Sequence, residues 1–144
     1  MLMLRVVLDT NVFVSSLLTK RGATAQVLAA WRDRRFLLLT SPAIIAEIQR
    51  VLRYPHIRGR YGITEGDIDA LTELLQKDAL VVPGAAPVAG VIPADVTDEM
   101  FLACAVDGQA DFIVSGDRHL LELRTYRGVP VLTVREFLDW LGGE

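Results

Sequence analysis

Short apolar runs of strand length alternate along this chain with stretches whose apolar residues recur at helical spacing. Leu4-Arg5-Val6-Val7-Leu8 is a β-branched run that predicts a first strand. A helical stretch through Val12, Phe13, Leu17 and Leu18 follows, and a second helix is predicted from about Thr24 to Arg35. Phe36 to Thr40 reads as a buried strand, and Ser41-Pro42 then opens a helix with a capping serine and a proline in its first position. Thr64-Glu65-Gly66-Asp67 has the form of a capping box, its helix running to about Asp78 before a strand at Leu80-Val81-Val82. Pro83 to Ala94, rich in Pro, Gly and Ala, is a linker-like loop. Beyond it come a helix from Thr97 or Asp98 to Val106 and a strand at Phe112-Ile113-Val114. Val129-Pro130-Val131-Leu132 is a short strand that tolerates its proline only near an edge, and Thr133-Val134-Arg135-Glu136 is a full capping box for the last helix. This alternation predicts a single three-layer α/β domain over residues 1–144, with a parallel sheet, right-handed crossovers and helices on both faces.

Composition narrows the class. With 144 residues, 51% apolar and 23% charged, the chain has the makings of one core, and general disorder is excluded. Its apolar runs fall short of the roughly 20 residues of a membrane span, so no membrane partner is expected. Met1 to Leu8, with Arg5 as its one charge and no small-residue cleavage site, does not read as a signal peptide. A single cysteine, Cys104, excludes an intrachain disulfide and a cysteine-rich zinc site, and the expected compartment is the cytoplasm. The net charge of −3 hides an asymmetry: residues 1–62 hold ten Lys/Arg against three acids, and residues 63–144 hold five against fifteen. Such a split means either a surface that faces a polyanion or opposite charges that meet after folding.

Two predicted strands end close to an aspartate at the place where parallel α/β sheets bind ligands, outside the carboxyl ends of the strands where strand order reverses. One reads Leu4-Arg5-Val6-Val7-Leu8-Asp9-Thr10-Asn11 and the other Phe112-Ile113-Val114-Ser115-Gly116-Asp117. Either aspartate can equally cap the helix that follows. On the helix after Pro42, Ile44, Ile45, Ile48, Val51 and Leu52 form an apolar stripe, with Glu47 on its edge and Gln49, Arg50 and Arg53 facing away. Glu47 is therefore a snorkelling or arginine-paired carboxylate, or a ligand aimed inward. Asp98 stands in the first turn of its helix, a position that the helix dipole favours for an acid. Asp95, Thr97 and Glu99 crowd the same turn, and spacing leaves open which residue caps and which points at a site. Asp9, Glu47, Asp98 and Asp117 brought to one sheet edge would repel one another, so the site needs a cation or raised pKa values. Oxygen donors without a Cys or His cluster indicate Mg²⁺ or Mn²⁺ rather than zinc.

In this order and on these elements, the motifs resemble the PIN-domain nucleases, in particular the VapC-like bacterial toxins of toxin–antitoxin pairs. The likeness runs from Val7-Leu8-Asp9-Thr10-Asn11-Val12 to Glu136-Phe137-Leu138. Asp9, Thr10 and Asn11 match the family's opening Asp-Thr-Asn; Glu47 matches its glutamate in the next helical region. Asp98 matches the acid that leads an Asp-x-x-Phe-Leu-Ala-x-Ala helix, and Asp117 the one in Val-Ser/Thr-Gly-Asp. The resemblance implies a five-stranded parallel sheet of order 3-2-1-4-5, which sets the strand of Asp9 beside that of Asp117. It also implies a ribonuclease whose Mg²⁺ or Mn²⁺ is held by Asp9, Asp98 and Asp117, with Glu47 as a ligand or water-positioning group. RNA would be hydrolysed to 5′-phosphate and 3′-hydroxyl ends.

Asn11 and Ser115 are then expected to hold a ligand carboxylate or a water. Because the carboxylates repel RNA, Arg50, Arg53, Arg58 and Arg60, with His56, are expected to bind its backbone. A cognate antitoxin and a second copy of the chain are the implied protein partners. Where the family often carries another acid two positions after its fourth aspartate, this chain has His119, read as a rim residue rather than a ligand. The competing class is a binding module. A receiver domain would need an acidic pair after its first strand and an aspartate after its third, and neither is present. Asp-Thr-Asn-Val is no glycine-rich nucleotide turn. A PIN scaffold without catalysis, acting as an RNA- or protein-binding module, remains the alternative.

Overall fold

The computed structural model describes residues 3–88 and 98–142. Its strands are β1 (Arg5–Leu8), β2 (Leu37–Thr40), β3 (Leu80–Val81), β4 (Phe112–Val114), β5 (Thr125–Tyr126) and β6 (Val129–Leu132). Its helices are α1 (Thr10–Leu18), α2 (Ala23–Arg32), α3 (Pro42–Leu52), α4 (Pro55–Tyr61), α5 (Glu65–Asp78), α6 (Glu99–Gly108), α7 (Arg118–Glu122) and α8 (Val134–Gly142). The sheet runs β3-β2-β1-β4-β6-β5. β1 pairs parallel with β2 and β4, β2 with β3, and β4 with β6. The expected order 3-2-1-4-5 is thus present, with β6 in fifth place.

The sheet nevertheless has a sixth strand, and it is not wholly parallel. β5 pairs antiparallel with β6 and leaves Pro130 one strand in from the edge. Arg127 and Gly128 join the pair with φ of 49° and 82°, both positive, as a tight two-residue hairpin requires. Glycine enters that region without strain, but arginine is not among the residues that advertise such a turn. Two short helices also go beyond the apolar periodicity. α4 buries none of its residues and α7 buries only Leu120, so neither carries an apolar stripe. Only the punctuation of α4 shows in the sequence, with Pro55 in its first turn and Gly62 closing it at φ 63°.

Where caps were expected, they form. Ser41 Oγ accepts from the Ile44 N–H at 3.3 Å, and Thr64 with Asp67 and Thr133 with Glu136 close reciprocal capping boxes. Val6, Val7, Leu38, Leu39, Ile113 and Val114 are all buried. Successive strand residues point to opposite faces, so buried consecutive pairs mean a sheet covered on both sides. The chain moves one way from β1 to β3 and back past β1 to β4. By the right-handed rule for parallel connections, this order assigns α6 to the face opposite α1, α2 and α3. α6 lies close there: a β-carbon on Gly108 would stand 2.7 Å from a Leu39 methyl. Among the described residues no helix is long and apolar enough to cross a membrane. Asp95, Thr97 and the second half of the expected linker, residues 89–94, lie outside the described residues.

Candidate active site

Parallel pairing of Leu8 with Val114 sets the next residues, Asp9 and Ser115, side by side at the carboxyl ends of β1 and β4. Here the strand order reverses, because the chain leaves β1 toward β2 and β3 and returns on its other side as β4. The Asp9 N–H donates to the Val114 carbonyl at 3.0 Å, which locks the two strand ends together. Asp9 does cap its helix, since Oδ1 accepts from the Val12 N–H at 2.8 Å. Its other oxygen, Oδ2, accepts from the Ser115 hydroxyl and from the Gly116 N–H at 3.2 Å. Capping and site placement are therefore compatible, one oxygen serving the helix and the other facing β4.

Ser115, fully buried, also accepts from the Asp117 N–H at 2.9 Å. Asp117 Oδ1 in turn accepts from the His119 N–H at 2.7 Å and caps α7. One serine thus ties the two aspartates to a single framework. His119 supplies its backbone to this arrangement, while its half-buried ring does not line the cleft described below. Burial pushes the Asp9 carboxyl above its ordinary pKa, and the charge of Asp117 adds to the push; the hydrogen bonds from Ser115, Val12 and Gly116 oppose it without winning.

Asp9, Glu47, Asp98 and Asp117 line one cleft of about 130 Å³, with Thr10, Asn11, Met100 and Phe101 completing the wall. Glu47 reaches it because Ile44, Ile48 and Val51 bury the adjoining face of α3; its carboxylate is also ion-paired with Arg50 one turn later. Asp98 holds the N-cap position of α6, yet its side chain does not cap that helix. Neighbouring Glu99 is buried and does not line the cleft, so of the two described acids of that turn Asp98 is the lining one. Asn11 stands exposed at the rim, and among the described residues its side chain makes no hydrogen bond to a carboxylate.

Among the described residues, no group of three or more Asp, Glu, His or Cys side chains is arranged, as it stands, to enclose a metal ion. The donor chemistry still fits a hard cation. The charged lining is all carboxylate, and Thr10 Oγ1, buried and without a hydrogen-bond partner among the described residues, belongs to the same wall. The cleft also has room for an ion with several waters, each of which takes about 30 Å³ in the liquid.

Residues 5–119 match the family model described as PIN domain. The chain belongs to the PIN domain family. An uncharacterized protein of Methanocaldococcus jannaschii, MJ1680, is 28% identical over 121 residues, which is 84% of this chain and 76% of that protein. Three solved structures share the fold. A chain of VapBC2 from Rickettsia felis, solved bound to a DNA fragment from their promoter, superposes with a TM-score of 0.59 at 13% identity, covering 90% of this chain and 98% of that one. PAE2754 from Pyrobaculum aerophilum gives 0.58 at 18% identity over 98% of this chain and 91% of its own. FitAcB from Neisseria gonorrhoeae gives 0.51 at 17% identity, covering 90% and 98%.

The basic stretch of this PIN domain is less uniform than its sequence. Arg50 is taken up by Glu47. Arg53 forks onto Glu65 of α5 through Nη2 at 2.9 Å and Nε at 3.1 Å, and Arg58 Nη1 reaches the same carboxylate at 3.0 Å. Arg60 differs. Among the described residues it pairs with no carboxylate, and its guanidinium lies 5.4 Å from the centre of the Tyr61 ring.

Proposed function

We propose that this PIN domain is a metal-dependent endoribonuclease that hydrolyses RNA phosphodiester bonds as the toxin of a toxin–antitoxin pair. The observation that carries the reading is the convergence of Asp9, Glu47, Asp98 and Asp117, from four separate stretches of chain, on one cleft at the strand-order reversal. Asp9, Asp98 and Asp117, with Glu47, would hold Mg²⁺ or Mn²⁺, which when bound lowers the pKa of water and neutralises charge on the phosphoryl oxygens. The chain's own residues do the positioning. Ser115 and Gly116 fix one Asp9 oxygen while Val12 fixes the other, and His119 fixes Asp117 through its backbone. Water then adds to phosphorus as the bond to the 3′ oxygen breaks, leaving a 5′-phosphate and a 3′-hydroxyl.

The toxin role is supported by the Asp-Thr-Asn, Glu47, Asp98 and Asp117 motifs together with the fold shared with VapBC2 and FitAcB. An antitoxin segment carrying arginine would pair with the carboxylates and displace the metal. The protein is expected to form a homodimer in the cytoplasm. Metal-dependent melting tests the core of the reading. At 100 times its dissociation constant a bound ion adds about 2.7 kcal/mol, so millimolar Mn²⁺ should raise the melting temperature by several degrees. Melting curves indifferent to metal, with RNA cleavage undiminished in EDTA, would overturn the metal-site reading.

A further inference from the structure

Beside the acidic cleft lies a second groove, of about 300 Å³, and Asn11 lines both. Its walls include Asn11 and Ser15 of α1, Val51 of α3, and His56, Arg60 and Tyr61 of α4, with further apolar side chains of α1 and α4. That volume is at the small end of the pockets that hold small organic groups, about 300–1,000 Å³. α4 brings an unusual set of groups to it. Tyr61 is 42% exposed although aromatic, and Arg60 lies against its ring. The His56 ring is stacked on exposed Tyr54 at 5.9 Å and 29°. Exposed aromatic rings beside an arginine that, among the described residues, no carboxylate neutralises are the equipment with which proteins hold single-stranded RNA, base on ring and phosphate on guanidinium.

We propose that this groove seats the nucleotide next to the scissile phosphate, its base stacked on Tyr61 and its phosphate held by Arg60. The inference rests on the ribonuclease reading and assigns that activity a specificity subsite. Of the four arginines of the basic stretch, three spend their charge on Glu47 or Glu65, and the fourth is the one at the groove. Because Asn11 lines both, the groove adjoins the acidic cleft, within reach of the nucleotide next to a phosphate held there. Tyr54, Tyr61 and the stacked His56 are not distinguished by apolar periodicity, since α4 buries no residue.

The test is the affinity of a short fluorescent single-stranded oligoribonucleotide, measured by anisotropy in Ca²⁺ at several salt concentrations, beside cleavage of the same RNA in Mg²⁺. Tyr61→Ala should weaken binding about tenfold, the loss expected for one stacked base. Tyr61→Phe, which keeps the ring, should bind as wild type does. Arg60→Gln should flatten the log–log salt dependence by about 0.7, one single-strand phosphate contact. Wild-type affinity in Tyr61→Ala, with cleavage intact, would overturn the subsite and leave the nuclease reading standing; a groove reserved for a protein partner gives that result. Wild-type protein that neither binds nor cleaves RNA would overturn both.

Discussion

The acidic cleft and the basic corner of α3, α4 and α5 both show in the sequence as charge clusters, and folding treats them in opposite ways. At the cleft, Asp9 and Asp117 have no ion-pair partner among the described residues and are held by N–H and O–H donors that fix their oxygens. At the corner, Arg53 and Arg58 converge on Glu65, and at the other end of α5 Arg32 of α2 reaches Asp78 at 3.1 Å. Each of these three pairs joins a base of the first 62 residues to an acid of the remainder, so much of the charge asymmetry is cancelled locally. The difference lies in what orients the charge. Strand register and backbone donors hold a carboxylate in one place, whereas an exposed helix side chain swings to the opposite charge that stands nearest.

Removing divalent metal should give the largest effect, and it separates the two regions outright. EDTA should abolish RNA cleavage while leaving the ion-paired corner folded, as circular dichroism would show. Ser115→Ala comes next. It deletes the hydroxyl that joins Asp9 to the Asp117 backbone, and loss of such a supporting bond costs about 10- to 100-fold in metal affinity or activity. Cleavage rates against Mn²⁺ concentration would show this as a rightward shift. Glu65→Gln probes the corner instead. It releases Arg53 and Arg58, so RNA affinity should rise and the salt dependence should steepen by up to about 0.7 for each arginine that reaches a phosphate. Because these groups are exposed, the melting temperature should hardly move.

The smallest effect is in stability against pH. Burial raises the Asp9 pKa, so the unfolded chain gives up this proton at lower pH than the folded one. Between those two values the folded state holds more protons, and stability falls as pH rises through the window, staying lower above it. In metal-free protein, Asp9→Asn should remove that fall, since asparagine can keep the bond to the Val12 N–H. Urea midpoints measured from acid to neutral pH would show a flatter profile for the variant.

What the sequence made legible follows the same division. The strands β2, β1, β4 and β6 follow from apolar runs, whereas their order and the meeting of Asp9 with Asp117 follow from the family resemblance that the strand-end motifs carry. Glu47 could be placed on the edge of its stripe because helical periodicity fixes angle as well as position. β5 was hidden because its turn depends on Arg127 at positive φ, a conformation that no residue preference announces. α4 and α7 were hidden because neither presents an apolar stripe to read. The partners of Arg53 and Arg58 were hidden for another reason: Glu65 becomes their neighbour only once α5 packs on α3.

The most direct test compares single-turnover cleavage of saturating single-stranded RNA in Mg²⁺ by wild-type protein and by Asp9→Asn. The substitution preserves shape and the Val12 cap while replacing the oxygen that faces Ser115 and Gly116 with an NH2, which removes the negative charge and gives up the Gly116 bond. If the convergent carboxylates are the reaction centre, cleavage should fall at least about a hundredfold while the melting temperature holds, because a charge-bearing ligand matters more than the supporting bonds around it. Cleavage by Asp9→Asn at the wild-type rate would contradict the account and reduce Asp9 to a helix cap.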